Sequence, residues 1–269
     1  MTGKVDLYET SYGHFAEDVL AAIRIDTYGE DLGQSGWMTA DELRSFIEKL
    51  ALTPSSRVLD IGSGSGGPSL FVARTTGCDI TGIDLNESGI ANANRLALLQ
   101  GIESRVRFRR VDASGPLPFP SMSFDAVFSN DTLCHVPNRQ GLLCECYRVL
   151  RPGARLLFTD ALVVTGIITH EEVAARSSIG HYLFAPPGAN EDLMRNAGFE
   201  LLQCEDLTPA ASRIAERWHA AREKHRDLVV KIEGAQNFEG LQAFLHTVHL
   251  LCRERRLSRY AYLAQRPVK

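Results

Sequence analysis

The sequence lacks the features that would tie the chain to a membrane or to nucleic acid. No apolar run approaches the roughly 20 residues that span a bilayer, and the N-terminal stretch MTGKVDLYETSYGHF has no apolar signal-peptide core. Lys and Arg number 29 against 33 Asp and Glu, so the formal net charge is −4 and there is no basic excess for nucleic acid. We therefore expect a cytoplasmic protein, monomeric or homodimeric, without a membrane or nucleic-acid partner.

The cysteine spacing of a zinc site or a disulfide framework is also missing. None of the six cysteines forms a C-x-x-C pair, and several lie within apolar stretches. A chain of 269 residues can bury a substantial core without cross-links, so reduced, buried thiols are expected, with no disulfide and no metal site. The six are Cys78, Cys134, Cys144, Cys146, Cys204 and Cys252.

Between residues 57 and 160, apolar runs of strand length alternate with helix-like segments. The strand-length runs are Arg57–Ile61, Cys78–Ile83, Val106–Asp112, Asp125–Ser129 and Ala154–Asp160. The helix-like segments are Ser69–Thr76, Ser88–Gln100 and Gln140–Leu150. Gly101 is placed to end the second of these helices, and Asn86 or Ser88 to begin it. The alternation predicts an α/β fold with a parallel sheet, in which ligands bind at the carboxyl ends of the strands.

Helical patterns also lie on both sides of this region. About 50 residues of helical pattern precede it, with helix-like residues Tyr8–Ile25 and an interruption at Tyr28–Trp37. Trp218 stands at helical spacing with apolar neighbours and is predicted to be core. After the alternating region we predict a helix at Ala189–Ala197, a strand at Phe199–Leu207, amphipathic helices at Pro209–Glu233 and Phe238–Arg256, and a last strand at Arg259–Gln265.

The stretch VLDIGSGSGGPS, residues 58–69, joins the first strand to a glycine-rich loop. Gly62, Gly64 and Gly67 match the G-x-G-x-x-G pattern of dinucleotide-binding loops. Asp60, however, ends the strand two residues before Gly62, where its carboxylate would repel a pyrophosphate and attract an ammonium group. This favours an adenosine cofactor with a cationic end and no phosphate, a description that fits S-adenosylmethionine.

Polar residues end the next three strands as well. Asp84 follows Asp60 by 24 residues, where an acid can accept hydrogen bonds from both ribose hydroxyls. Taken alone, Asp84 would suit a nicotinamide cofactor equally well. Asp112 ends the third strand, where it could accept from an adenine amino group, and Asn130-Asp131 end the fourth, beside the place of a transferable methyl group.

With these motifs, the chain resembles the class I S-adenosylmethionine-dependent methyltransferases. The matching stretches are VLDIGSGSGG, GIDLN, VDA, LPFPSMSFDAVFSNDTLCHV and RVLRPGARLLFTD, which cover roughly residues 55–160 in the order of that family. The resemblance implies a Rossmann-like, seven-stranded, mostly parallel sheet with helices on both faces, an antiparallel last strand and a helical insertion before that strand. YGEDLGQSGW and the tail AGFELLQCEDLT…SRYAYLAQRP further resemble enzymes that methylate small molecules, such as sarcosine/dimethylglycine, phosphoethanolamine and tocopherol-like methyltransferases.

On this basis we divide the chain into three parts. Residues 1–50 are expected to form an N-terminal helical lid, 51–161 the S-adenosylmethionine-binding core, and 162–269 a substrate cap with the remaining strands of the same sheet. The cofactor would leave as S-adenosyl-L-homocysteine. The candidate cofactor-binding residues are Trp37, Asp60, Gly62, Gly64, Gly66, Asp84, Leu85, Asp112, Ala113 and Asn130.

Candidate groups for the chemistry lie in the less regular segments. His135, in the loop after the fourth strand, is either a general base or a structural histidine. Asp131 is a second catalytic candidate, or a residue that contacts the methionine part of the cofactor or caps a turn. The candidate substrate-binding residues are Tyr12, Gln34, His181 and Tyr182.

The predicted function is methyl transfer to a nitrogen, oxygen or carbon atom of a small molecule. The protein would act mainly by holding the acceptor in line with the methyl group and by excluding water. Two alternatives are a non-catalytic S-adenosylmethionine-binding module and an NAD-dependent oxidoreductase. Asp60 disfavours the oxidoreductase.

Overall fold

A single seven-stranded sheet organises the molecule, as a computed structural model that describes residues 5–268 reveals. The strands are β1 (Arg57–Ile61), β2 (Asp79–Asp84), β3 (Val106–Arg110), β4 (Phe124–Ser129), β5 (Leu150–Val164), β6 (Glu200–Asp206) and β7 (Leu257–Gln265). Their order across the sheet is β3-β2-β1-β4-β5-β7-β6. β1 to β5 run parallel, and β7 is antiparallel to both β5 and β6. The predicted α/β class with an antiparallel last strand is confirmed.

Helices cover both faces of the sheet. They are α1 (Tyr8–Gly13), α2 (Asp18–Tyr28), α3 (Ala40–Leu50), α4 (Gly67–Thr76), α5 (Glu87–Leu99), α6 (Arg139–Val149), α7 (His170–Arg176), α8 (Ala189–Asn196), α9 (Thr208–Lys224), α10 (Arg226–Glu233) and α11 (Ala235–Arg253). Alternate residues of each strand point to opposite faces, so Val58 packs with α3, α4 and α5, whereas Leu59 packs with α6 and α8.

A third apolar cluster lies beyond the carboxyl ends of the strands. It joins α2, α9 and α11 through buried side chains such as Ile23, Ile214, Trp218 and Phe244. Ala161, near the end of β5, belongs to the same cluster. These helices therefore form a roof over the sheet edge where the sequence places the ligand.

The predicted ends of α5 are confirmed. Asn86 is the N-cap, and its side-chain oxygen accepts a hydrogen bond from the Gly89 N–H at 2.8 Å. Gly101 follows the helix with a φ of +66°, in the left-handed region that favours glycine. Capping by Asn86 leaves the Asp84 carboxylate free for another role.

Most predicted bounds shift by a few residues, and three elements differ from the prediction in a way that has a clear local cause. β5 begins at Leu150 rather than at Ala154, because Leu150 already pairs with Phe124 of β4. The helical pattern at residues 209–233 is interrupted at His225, where α9 ends and α10 begins. The pattern at residues 8–25 is broken after Gly13, since Glu17 is extended and α2 begins only at Asp18.

All six cysteines are free thiols, but two of them are not buried as predicted. Cys78, Cys134, Cys146 and Cys252 are buried, whereas Cys144 and Cys204 are exposed. Within residues 5–268, no three His, Cys, Asp or Glu side chains are grouped so that they could hold a metal ion. Nor does any helix in this range have the length and apolar character needed to cross a membrane.

Candidate functional site

A cavity of about 580 Å³ opens at the carboxyl ends of β1, β2, β3 and β4. Its walls come from the strand ends, from the N-terminal segment around α1 and from the roof helices α9 and α11. With one exception, every candidate cofactor, catalytic and substrate residue lines this single cavity. The structure therefore brings together residues that are up to 170 positions apart in the chain, from Tyr12 to Tyr182.

The exception is Gly66, which the sequence placed among the cofactor-binding residues. It is the N-cap of α4 with a φ of +80°, and an added Cβ would lie 2.7 Å from the side chains of Ala93 and Phe108. Gly66 therefore allows α4 to pack closely against α5 and β3, and it does not line the cavity.

Gly62 and Gly64 form the floor of the cavity and need their glycine backbone. Both have positive φ, +80° and +51°. An added Cβ would lie 2.0 Å from the Thr132 hydroxyl oxygen at Gly62, and 2.6 Å from the Tyr12 hydroxyl oxygen at Gly64. The loop is thus held between the end of β4 and helix α1, with room for a ligand only along its open side.

The Asp84 carboxylate is fixed in orientation at the edge of this loop. Its Oδ2 accepts the Gly64 N–H at 2.9 Å, and its Oδ1 accepts the Asn86 N–H at 2.8 Å. Burial raises the pKa of Asp84, an effect that these backbone N–H groups oppose. Asp84 lines the cavity, and each carboxylate oxygen can accept a further hydrogen bond, which suits a pair of ribose hydroxyls.

We predict that Asp84→Ala weakens S-adenosylmethionine binding by about tenfold or more, because two charge-assisted hydrogen bonds, each worth roughly 1.5–3 kcal/mol, are lost. Isothermal titration calorimetry measures the effect. Asp79→Ala, at the exposed opposite end of β2, is the matched control and should bind normally. Equal affinities for the two variants would exclude this role for Asp84.

Asp60 is a buried acid that faces the cavity without a cationic partner among the described side chains. Its Oδ2 accepts a hydrogen bond from the Ser69 hydroxyl at 2.6 Å. Burial raises the pKa of Asp60 to about 7; the Ser69 bond opposes this shift and the neighbouring charge of Asp84 adds to it. An ammonium group beside Asp60 would favour the ionised form, so the site fits the α-amino group of the expected cofactor.

This raised pKa predicts a pH-dependent affinity. Below pH 7 the Asp60 carboxyl must lose a proton to bind an ammonium group, so affinity for S-adenosylmethionine should fall about tenfold per pH unit and level off above pH 7. In Asp60→Asn this dependence should disappear, and binding should be weak throughout. Calorimetry between pH 5.5 and 8.5 tests this, and the same slope in both proteins would contradict it.

The adenine end of the cavity is more open. Leu85 is 59% exposed there, beside Ala113 and Asp112. The Asp112 carboxylate accepts the Ser114 N–H at 2.8 Å and is otherwise exposed. An exposed leucine next to an acid offers one apolar face and one acceptor, which suits a flat base with an amino group.

Asp131 stands at a strained position after β4, with a φ of +52°. Its carboxylate accepts hydrogen bonds from the Arg259 Nε at 3.0 and 3.2 Å, from the Thr159 hydroxyl at 2.8 Å and from the Trp37 N–H at 3.2 Å. Asn130 Oδ1 accepts from Arg259 at 3.0 Å and also lies 3.0 Å from the Thr159 hydroxyl oxygen, whose single proton it shares with Asp131. The Asp131 carboxylate is thus occupied in holding the cavity wall.

His135 is held in one orientation at the other end of the cavity. Its Nδ1 lies 3.0 Å from the carbonyl oxygen of His181, which can only accept, so Nδ1 carries the proton. Its Nε2 therefore accepts from the Tyr8 hydroxyl, also at 3.0 Å. The ring packs against Tyr182 with 4.4 Å between centroids. Burial lowers the pKa of His135 to about 4, so the imidazole is neutral near pH 7.

Three candidate substrate residues have other contacts. The Tyr12 hydroxyl lies 3.2 Å from the Ser35 hydroxyl and against Gly64, on the cofactor side of the cavity. The Gln34 amide binds the Leu32 N–H and the Glu30 carbonyl, so it stabilises its own loop. His181 contributes its backbone carbonyl to His135.

The wall around Tyr182 contains residues that the sequence reasoning did not place in the site. The Trp37 ring, assigned above to the cofactor, packs with Trp218 and Phe244 at centroid distances of 6.1 Å. Trp218 is buried, as predicted for core, and it also lines the cavity. Aromatic residues at helical spacing are usual in a core, so their spacing alone carried no signal of a binding wall.

Comparison with known proteins agrees with this geometry. A family model described as a methyltransferase domain matches residues 59–158. The chain is 32% identical over 235 residues to the 27-O-demethylrifamycin SV methyltransferase of Amycolatopsis mediterranei, covering 81% of this chain and 85% of that protein. It is 27% identical over 214 residues to phosphoethanolamine N-methyltransferase 3 of Arabidopsis thaliana, covering 80% of this chain but only 42% of that longer protein.

Solved structures share the fold. A putative sarcosine dimethylglycine methyltransferase from Galdieria sulphuraria has a TM-score of 0.78 at 18% identity, with 85% of this chain and 84% of that one covered. A Haemonchus contortus phosphoethanolamine N-methyltransferase with bound S-adenosylhomocysteine has a TM-score of 0.79 at 21% identity, covering 97% and 60%. The [4+2]-cyclase SpnF has a TM-score of 0.75 at 23% identity, covering 99% and 100%.

The curated relatives are named as methyltransferases, which supports methyl transfer and gives no support to the nicotinamide alternative. The glycine loop and the acids Asp60 and Asp84 fit the cofactor of those enzymes. The chain belongs to the S-adenosylmethionine-dependent methyltransferases.

Proposed function

We propose that this enzyme methylates a hydroxyl oxygen of a small-molecule acceptor, with His135 as the general base and Tyr8 as the proton relay. The observation that carries the proposal is the hydrogen-bonded pair of His135 and Tyr8 at the cavity wall, in which a backbone carbonyl fixes Nδ1 of His135 and Nε2 accepts from the Tyr8 hydroxyl. A nucleophile that already lacks a proton would need no such pair.

The proton path follows from these contacts. When bound, S-adenosylmethionine supplies an electrophilic methyl carbon. The acceptor hydroxyl would donate to the Tyr8 oxygen, and Tyr8 would pass its own proton to His135 Nε2 as the acceptor oxygen takes the methyl group, whose bond to the sulfonium sulfur breaks to leave S-adenosylhomocysteine. His135 becomes imidazolium, while Tyr182 and the His181 carbonyl keep its ring in place.

Positioning is the second contribution of the protein. The aromatic wall of Trp37, Trp218 and Phe244 excludes water and orients an apolar acceptor. Correct alignment of two reactants can supply about 7–11 kcal/mol of the barrier. Asp131 has a positioning role here, because its carboxylate holds the Trp37 backbone.

A panel of phenols, enols, alcohols and amines tests the proposal. Release of S-adenosylhomocysteine and a mass gain on the acceptor should occur with O–H acceptors and be lost in Asp84→Ala at limiting cofactor. Methylation of amines alone would contradict the proposed oxygen transfer. Cofactor binding with no methylation of any acceptor would favour a binding module.

We also propose that α1 acts as a lid over the bound cofactor. Tyr12 lies on Gly64, the Tyr12 carbonyl accepts from Asn92 Nδ2 at 2.7 Å, and Glu9 accepts from Asn86 Nδ2 at 2.6 Å. Together with the hydrogen bonds from Tyr8 to His135 and between Tyr12 and Ser35, these contacts join a six-residue helix to the core, so α1 should open more easily than the sheet.

Hydrogen exchange tests the lid. Amides of residues 8–16 should exchange several-fold more slowly when S-adenosylhomocysteine is bound, because the ligand holds α1 closed. Helix α3 is the internal control, since Leu43 and Phe46 are buried against the sheet and its exchange should not change. Slow exchange in α1 without ligand would identify the helix as fixed scaffold.

A further inference from the structure

Arg176, the last residue of α7, is a buried cation without a counter-charge. It is 1% exposed and lines the cavity. Its Nε and Nη1 are buried and form no hydrogen bond, and within residues 5–268 no carboxylate forms an ion pair with it. Its guanidinium carbon lies 4.6 Å from the ring centroid of Tyr182, 5.1 Å from Phe244 and 5.9 Å from Trp37.

The other deeply buried arginines of the chain differ from Arg176 in this respect. Arg139 pairs with Asp160 at 2.7 Å, and Arg222 pairs with Glu233. Arg259 pairs with two acids. A buried charge without a partner costs free energy, and aromatic faces offset only part of that cost. Arg139 and Arg222 each leave only Nε without a hydrogen bond, whereas Arg176 leaves both Nε and Nη1, and among these four arginines only Arg176 lines the cavity.

We propose that Arg176 binds a carboxylate carried by the acceptor. The inference rests on the proposed function and adds the class of substrate: a hydroxyl-bearing monocarboxylic acid with an apolar body. The planar guanidinium matches a carboxylate in a bidentate way, and the aromatic rings around Arg176 enclose the apolar part.

Two arginines and six acids line the cavity, a balance that favours a monoanion over a phosphate dianion. The other Arg or Lys side chain that lines it is Arg110, which donates to the Leu85 carbonyl at 3.1 Å at the adenine end. A phosphate dianion would leave one charge unbalanced beside Arg176, whereas one carboxylate neutralises it.

The same geometry limits the length of the acceptor. The His135 ring centroid and the Arg176 guanidinium carbon lie 4.4 and 4.6 Å from the Tyr182 ring centroid, so they are at most about 9 Å apart, the sum of those distances. The hydroxyl to be methylated donates to Tyr8, whose oxygen lies 3.0 Å from His135 Nε2, so this hydroxyl and the carboxylate must fit within a similar span. Hydroxybenzoic and hydroxycinnamic acids have this size and an apolar ring between the two groups.

Matched acids and amides test the proposal. The probes are 4-hydroxybenzoate, 3-hydroxybenzoate and 4-hydroxycinnamate, each beside its primary amide, titrated into protein saturated with S-adenosylhomocysteine. At least one acid should bind about tenfold or more tightly than its amide, because the amide lacks the charge. In Arg176→Met this preference should vanish, and in Arg176→Lys it should persist in weaker form. Arg110→Met is the control and should keep it.

Each other outcome is decisive. The proposal is overturned if acids and amides bind equally, or if the preference for acids survives in Arg176→Met. It is also overturned if phenyl phosphate binds more tightly than the acids, or if no acid binds. A lower melting temperature of ligand-free Arg176→Met than of Arg176→Lys overturns it as well, since the cation would then be structural. Failure of the proposed function appears separately, as loss of cofactor binding or of oxygen methylation in the wild-type protein.

Discussion

The His135→Ala variant is expected to lose about 10²–10⁴-fold in kcat while its affinity for S-adenosylmethionine changes little. His135 is neutral near pH 7. Its Nδ1 is held by the His181 carbonyl, so the ring takes up a proton at Nε2, where the Tyr8 hydroxyl donates. Removing the imidazole removes the base but leaves Asp60, Asp84 and the glycine loop in place. Single-turnover kinetics at saturating cofactor measure this loss directly.

Two matched variants separate catalysis from structure. Tyr8→Phe keeps the ring that packs edge-on against His135 at 5.7 Å and removes only the hydroxyl, so kcat should fall with little loss of stability. His181→Ala removes an exposed side chain but keeps the carbonyl that holds Nδ1, so its turnover should be nearly normal. A fall in melting temperature parallel to the fall in kcat in both His135→Ala and Tyr8→Phe would identify a structural pair.

The strand framework of this protein is well predicted from sequence because buried parallel strands leave a clear pattern. β1 is the predicted Arg57–Ile61, and the other parallel strands begin or end within a few residues of their apolar runs. The acids Asp60 and Asp84 follow directly, since each ends a strand and strand ends meet at one edge of the sheet. The cofactor half of the cavity therefore follows from local patterns.

The acceptor half depends on contacts between distant helices. Tyr8 reaches His135 across 127 positions, and Arg176 of α7 meets Phe244 of α11 through the cavity wall. Nothing in the segment around Arg176 distinguishes it from a solvated arginine, because burial and the lack of a partner are properties of the assembled fold. The role of Asp131 could not be predicted either, because its partner Arg259 lies 128 positions away on the antiparallel strand.

That pair leads to the largest expected effect on stability. Arg259 is fully buried, and its guanidinium bonds Asp131 at 3.0 Å and Glu42 at 2.8 Å. Arg259→Met would leave two acids facing an apolar side chain in a low-dielectric interior. Removing one partner of a buried ion pair typically costs about 3–5 kcal/mol, so urea unfolding should show a loss in this range. Arg255→Met, which breaks an exposed pair with Asp206, is the control and should unfold almost normally.

Asp131→Asn decides between the two roles considered for Asp131. The amide keeps an oxygen for Thr159 and Arg259 but loses the charge that balances the guanidinium, so stability should fall, by less than in Arg259→Met. Because His135 and Tyr8 are untouched, turnover per folded molecule should stay far above that of His135→Ala. The double variant Arg259→Met/Asp131→Asn should lose less than the sum of the single losses, as expected for residues that share one interaction. If Asp131→Asn instead keeps wild-type stability and loses turnover as severely as His135→Ala, the carboxylate takes the proton and the positioning role is wrong.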